Sequence, residues 1–358
     1  LSAAEAKALS KNVTVPVIVV LRDQPAANAI NGPAAGARER TLAMAQDPIV
    51  GELRQTGSAK VHPYSLVDAI SATVSAGEAA RLAANPAVEE VIPDSPVRGP
   101  DVTEPMSPPA GDGTPAAASK TNPIPPGACP APGQPAFLGE ELELIHADSN
   151  TPSEPTARSL GFTGAGVKVA FMAEGIDIDN PDFIRPNGSH VFVDYQDFSG
   201  DGLDAPTGAG EAFLDASAIA SQGKTYDVSH FGAVPLSGPC RVRVEGVAPG
   251  ASLVGLKVFA QNGYSTTSAL LQGIDYAVNV DHVDVLNESF GYNPFPMVQS
   301  QDIVEEFNDA AVAAGTTVTV AAGDAGPADT LGSPDTDPNV INVGASNNLR
   351  FYAETSTD

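Results

Sequence analysis

Residues 166–173 read GVKVAFMA and residues 251–259 read ASLVGLKVF. Each is a short Val-rich run almost without polar breaks, the pattern of a strand covered on both faces, as in a parallel sheet. HVFVDY at 190–195, VDVLNESF at 283–290, TTVTVAAG at 316–323 and VINVGAS at 340–346 repeat it. Helical segments at 211–222, 266–280 and 299–314 lie between them, and Gly315 stands where a left-handed cap ends the last one. Strands that alternate with helices predict an α/β fold with a doubly wound parallel sheet and a site at the carboxyl ends of its strands.

Upstream, VPVIVVL at 15–21 reads as a strand, and the Ala-rich stretch to Ser58 as helix broken by Gly and Pro. A second strand is expected from Tyr64 to Val74. AGEAARLAANP then has the helical period, with Leu82 on its apolar side and Pro86 just beyond, and VEEVIPD closes the unit as a short strand. This β-α-β-α-β order predicts a small α+β, ferredoxin-like sheet with helices on one face. From Ser95 to about Pro135 the chain turns to Pro, Ala, Gly and Ser without an apolar period, the composition of an extended linker.

With 44 acidic against 18 basic residues the formal charge is -26, which argues against nucleic acid or an anionic membrane as a partner, because both need clustered cations. Such a surface fits a soluble extracellular or a salt- or acid-tolerant protein. There is no apolar run of about 18 residues to span a membrane. The chain opens at Leu1 with neither Met nor an apolar signal core, so it is expected to begin after a removed segment. Cys129 and Cys240, isolated and far apart, fit one disulfide in an oxidising compartment, with two free thiols as the alternative. No metal-ligand or redox spacing of cysteines is present.

Several strings resemble the subtilisin family of serine peptidases. GFTGAGVKVAFMAEGIDIDNPDF resembles the opening of its catalytic domain, GVAPGASLVGLKVF the strand after the catalytic helix, and VLNESFG the substrate-binding edge strand. VAAGDAG and SPDTDPNVINVGAS resemble the oxyanion segment and the strand that follows it, while VIVVLRD and YSLVDAISATVSAGEAARLAANPAVEEVIPD resemble the inhibitor-type propeptide. The resemblance implies an inhibitor-like prodomain at 1–97, a Pro-rich linker at 98–135 and a subtilisin-like catalytic domain at 136–358. It also implies secretion, a polypeptide substrate, and the chain's own prodomain as intramolecular inhibitor, its tail from Val91 to Val97 blocking the cleft. Substrate would lie extended beside Ser289, Phe290 and Gly291, with Ala322 and Gly323 walling the primary pocket.

The chemistry departs from the subtilisin pattern. Ala173 stands where the triad aspartate belongs, and Glu174, one residue along, is expected by strand alternation to point elsewhere. The catalytic helix reads GEAFLDASAIAS without histidine, and His62, His146, His190, His230 and His282 all lie outside that motif. Glu211 and Asp215, four apart, share one helix face and form a pair able to share a proton. With Asp324 in the place of the oxyanion asparagine, Glu-x-x-x-Asp and Gly-Asp-x-Gly resemble the sedolisins, the serine-carboxyl peptidases. That resemblance makes Glu211 the general base, Asp215 its orienting partner and a protonated Asp324 the oxyanion donor. A Glu base and a protonated Asp donor both call for acidic pH.

No Gly-Thr-Ser string occurs, so the nucleophile is expected further on, in a tail or second chain that completes the fold. The alternative is a catalytically dead pseudopeptidase serving as an extracellular binding or scaffold protein. No cofactor is expected. The oxygen-rich loop DYQDFSGDGLD, Asp194 to Asp204, has a spacing that suits Ca²⁺ but lacks the terminal Glu, and a solvated acidic turn is the other reading.

Overall fold

The computed structural model describes residues 1–26, 35–99, 123–124, 129–131, 133–203, 210–230, 235–291, 299–323 and 332–346. The N-terminal unit runs α1 (Ala3–Leu9), β1 (Val15–Leu21), α2 (Ala35–Gln55), β2 (Ala59–Pro63), β3 (Ala69–Val74), α3 (Ala76–Ala83), β4 (Val88–Pro93) and β5 (Pro96–Arg98). Its sheet has the order β2-β3-β1-β4, with every neighbouring pair antiparallel.

Two expectations for this unit are corrected. α2 is one 21-residue helix that passes through Pro48 and Gly51 without breaking. Pro48 removes the bond to the Met44 carbonyl in a turn where Met44 is 77% exposed, so water can serve that carbonyl. Of the single strand expected from Tyr64 to Val74 only β3, from Ala69, forms; Tyr64 to Asp68 are the connection of the β2–β3 hairpin. Tyr64, Leu66 and Val67 in its connection are buried, but outside the sheet, which is why the stretch looked strand-like.

Those three side chains anchor the N-terminal unit on the rest of the molecule, whose elements are β6 (Phe137–Leu138), α4 (Glu140–Leu144), β7 (Lys168–Ala173), β8 (Phe192–Asp197), α5 (Glu211–Ala220), β9 (Gln222–Asp227), β10 (Arg241–Glu245), β11 (Ser252–Lys257), β12 (Tyr264–Thr266), α6 (Thr267–Asn279), β13 (Val285–Glu288), α7 (Gln299–Ala314), β14 (Thr317–Ala321) and β15 (Ile341–Val343). Six of these strands form a wholly parallel sheet in the order β15-β14-β13-β7-β11-β8. Along β7, Val169, Phe171 and Ala173 face a cluster with Ala212, Ala216 and Ala220 of α5. Ala170 and Met172 face the opposite cluster, with α6 and α7. Helices on both faces make this the doubly wound α/β fold expected from the sequence. Gly315, at φ 104, ends α7 in the left-handed conformation.

The smaller sheet β6-β10-β9 has no counterpart in the sequence reading, because QGKTYD in β9 is polar. Cys240, just before β10, is joined to Cys129 in a disulfide with the Cα atoms 5.0 Å apart.

The N-terminal sheet is covered on both faces. Val17, Val19 and Leu21 pack with Ile49, Leu53 and Leu82 of α2 and α3, whereas Ile18, Val20 and Ile92 share a cluster with α6 and α7. Tyr64 meets Phe307 of α7 edge-on, 5.2 Å between ring centroids, and its hydroxyl donates to the Ser268 carbonyl at 3.1 Å. Asp275 of α6 accepts the Ser65 and Leu66 N–H groups at 2.8 and 2.5 Å, while Arg38 donates to the carbonyls of the same two residues. Replacing Asp275 by Ala strands two donors in a buried joint, so Asp275→Ala is expected to destabilise the protein by about 2–4 kcal/mol, measured by urea unfolding.

Several carboxyls are buried. Glu288 is 0% exposed with Oε1 unpartnered, and burial foremost pushes it to about 8. Burial likewise raises Glu78 to about 7 and Asp68 to about 6. A carboxyl whose folded pKa exceeds its unfolded value gives stability that is full below the unfolded value and lost as pH rises through the folded one. The unfolding midpoint in urea is therefore expected to fall from pH 5 to pH 8. Glu288→Gln should flatten that fall at its upper end.

Candidate active site

α5 begins after Gly210, at φ 90, which supplies no side-chain cap. The cap comes from another element. β7 ends at Ala173, and Glu174 Oε1 accepts the Ala212 N–H in the first turn of α5 at 3.1 Å. The expectation that Glu174 points elsewhere is thus corrected, because strand alternation stops where the strand stops. The turn is held by Tyr195, whose hydroxyl oxygen accepts the Ile176 N–H at 3.0 Å. Glu174 is 7% exposed, and the sequence signal that could have found it is an acidic residue just past a strand end facing an uncapped helix.

Glu211 and Asp215 stand one turn apart on α5. Ser289, immediately after β13, donates its hydroxyl to Asp215 Oδ1 at 2.8 Å and accepts from Asn287 Nδ2 at 3.0 Å. Asp215 Oδ2 is buried without a hydrogen-bond partner. Burial raises Asp215 to about 7, against the Ser289 hydrogen bond and helped by the negative charges of Glu211 and Glu174. Below that pH Asp215 carries a proton, which a neighbouring carboxylate is able to share.

The structure thus brings Glu211, Asp215, Ser289 and Glu174 together at the carboxyl ends of β7 and β13. Phe290 lies on the other side, in the cluster that also holds Val97 of the tail. It is 3% exposed, with its ring 5.7 Å from that of Phe259 in an edge-on contact. Gly291 has room for a side chain, since an added Cβ would meet only the Ser333 carbonyl at 3.6 Å. Ala322 follows β14 and donates its N–H to the Val343 carbonyl at 2.9 Å, and Gly323 is exposed at φ 80. Asp324 lies outside the described residues, as does Asp204. Three of the histidines have partners of their own: His62 packs on Tyr64, His190 lies 3.6 Å from Asp179, and His282 contacts the Val278 carbonyl.

In the loop that suggested Ca²⁺, the cation is a side chain. Lys257, 1% exposed at the end of β11, pairs with Asp201, lies 3.8 Å from Asp197 and donates to the Gly202 carbonyl at 2.8 Å. Burial opposes ionisation of Asp201, but the bonds from Lys257 and Ser199 outweigh it and bring the carboxyl down to about 2. Asp197 is further occupied by the Ser199 and Gly202 N–H groups at 3.0 and 2.9 Å. Among the described residues no group of His, Cys, Asp and Glu has the arrangement of a metal site.

The class that this doubly wound parallel sheet suggests is also what comparison with known proteins finds. The Subtilase family model matches residues 164–357, more than half of the chain, and the chain belongs to that family. It is similar to Minor extracellular protease Vpr of Bacillus subtilis (strain 168), 32% identical over 225 residues, which is 61% of this chain and 25% of that protein. It is equally similar to Subtilisin E of the same organism, 32% identical over 210 residues, 57% of this chain and 47% of that protein. Alkaline elastase YaB of Bacillus sp. (strain YaB) is 28% identical over 216 residues, 59% of this chain and 49% of that protein. The chain spans about half the length of Subtilisin E and a quarter of Vpr.

Removing the charge of Glu174 takes away one of the influences that raise Asp215. In Glu174→Gln the Asp215 carboxyl is expected to titrate at lower pH than in the unaltered protein, as followed by carboxyl-carbon NMR.

Proposed function

We propose that the chain is the front part of a secreted serine endopeptidase precursor whose general base is carboxylate rather than imidazole. The observation that carries this reading is Asp215, held by Ser289 at the mouth of the parallel sheet, one helical turn from Glu211 and with its carboxyl raised to about 7. In this reading a serine supplied by the remainder of the protein attacks the peptide carbonyl. Glu211 takes the serine proton, and Asp215, protonated in acid, donates a hydrogen bond that orients Glu211 and steadies its charge. Asp324, protonated, donates to the oxyanion, and Glu174 holds the first turn of α5 so that the pair faces the reacting atoms. The assignment of these three roles rests on the resemblance to the sedolisins.

Residues 1–97 act in this reading as the prodomain. β5 lies antiparallel on β12, with Pro96, Val97 and Arg98 opposite Thr266, Ser265 and Tyr264, which is how an extended peptide adds to a sheet edge. Asp94 reinforces that seat by accepting the Ser268 N–H and hydroxyl at 2.8 and 2.7 Å at the start of α6. Occupation of this edge by the chain itself would exclude substrate until the prodomain is removed. The disulfide between Cys129 and Cys240 would keep the later part of the linker with the catalytic domain after such a cut.

The test is cleavage of a denatured protein by the complete gene product from pH 3 to pH 8. Activity is expected to be greatest on the acid side, and Glu211→Gln is expected to lower kcat by about 10²–10⁴-fold, the range of a lost general base. An optimum at pH 8 with no activity near pH 4, or full activity in Glu211→Gln, would remove the carboxylate mechanism.

A further inference from the structure

β2, at the edge of the N-terminal sheet, slips its register against β3 between Ala59 and His62. At the slip Lys60 has φ 50, in the left-handed region that a lysine seldom adopts, and backbone held in such a conformation is a place to look for function. Lys60 and His62 line a cavity of about 840 Å³ between this sheet and the doubly wound unit. That volume lies within the range of small-molecule sites. Lys60, His62 and Thr73 stand on the side of the sheet, and Phe198, Ala269 and Gln272 belong to the other unit. The buried cations are committed elsewhere, Arg38 to the Ser65 and Leu66 carbonyls and Lys257 to Asp201. Lys60 differs: among the described residues its ammonium has neither a hydrogen bond nor an ion pair. The His62 ring lies edge-on to Tyr64, 5.0 Å between centroids, and burial holds its pKa down with no carboxylate near enough to raise it. Asp94 is the one carboxyl among the described residues of the wall, and it is occupied by the Ser268 N–H and hydroxyl at 2.8 and 2.7 Å.

We propose that this cavity is a binding site for a small organic carboxylate with an apolar body, the carboxylate received by Lys60 and His62 and the body by Phe198 and Ala269. An ionised acceptor is what an unpaired ammonium and an imidazole without a counter-ion can bond most strongly. The single full charge of Lys60, with no guanidinium fork beside it, matches one carboxylate rather than a phosphate. An inorganic anion would leave most of the cavity, and the Phe198 ring, to water. The site is built from both units of the full chain and does not depend on the peptidase reading.

The test uses the full chain and two probes that differ only in charge, N-acetylphenylalanine and its amide. Calorimetric titration is expected to find the acid bound about tenfold more tightly than the amide, the size of one hydrogen bond to a charged group. In Lys60→Met that preference is expected to vanish, and Phe198→Ala is expected to weaken both probes alike. NMR of the unaltered protein gives a second readout that needs no variant to fold. With the acid bound, the His62 ring is expected to titrate at higher pH than in the free protein, because a carboxylate beside it favours the charged imidazole; the amide should leave it unmoved. Equal binding of acid and amide, binding of neither at about 1 mM, or a His62 titration that the acid does not shift overturns the proposal. So does a preference for the acid that survives in Lys60→Met with an unchanged urea midpoint.

Discussion

The N-terminal sheet has no face of its own to offer to water, and much of the molecule follows from that. β1 buries Val17, Val19 and Leu21 towards α2 and α3, and Ile18 and Val20 towards α6 and α7. Each such side chain is worth about 1.5–3 kcal/mol when fully buried, so leaving the second face open would cost more than most small domains can spare. Apolar burial brings the two units together but does not fix their register. Directional groups do that: Arg38 and Asp275 hold the carbonyls and N–H groups of Ser65 and Leu66 from opposite sides, and Asp94 takes the N–H and hydroxyl of Ser268. With α6 held at both ends, β12 just before it is presented to the tail, and Val97 falls opposite Ser265.

The elements legible in the sequence were those whose environment is uniform along their length. β7 and β11 are covered on both faces and read as unbroken apolar runs, and α7 has the bounds its composition suggests. The illegible ones owe their form to partners distant in sequence. Tyr64, Leu66 and Val67 look like strand residues until α6 and α7 are there to receive them. β9 is polar and exists because Arg241–Glu245 pairs with it. In the site, the i, i+4 spacing displayed Glu211 and Asp215 on one helix face, whereas Glu174 depended on where β7 ends and on Gly210 leaving a helix uncapped.

The shortage of cations also shapes the interior. Lys257 and Arg38 are engaged by Asp201 and by backbone carbonyls, and the carboxyls of Glu78 and Asp68 and the Oε1 of Glu288 are buried without a hydrogen-bond partner. For such groups the proton is the available counter-ion, and burial raises their pKa until they hold it. Asp215 obeys the same rule, with the difference that Glu211 and Glu174 stand beside it. A carboxyl that titrates near neutrality therefore needs no special device in this protein. It is what its interior does to any acid that lacks a basic partner.

One backbone step joins the two halves of the site. Ser289 and Phe290 are neighbours just beyond β13, and their side chains go to opposite faces of the sheet. Ser289 donates to Asp215 on the α5 side; Phe290 packs on Phe259, in the cluster that also seats Val97. The Cα atoms of the two residues are about 3.8 Å apart, as across any trans peptide. The ring that lines the tail's seat and the hydroxyl that holds the buried carboxyl cannot move independently by more than that peptide allows. The position of β13 in the middle of the parallel sheet, between β14 and β7, fixes both at once.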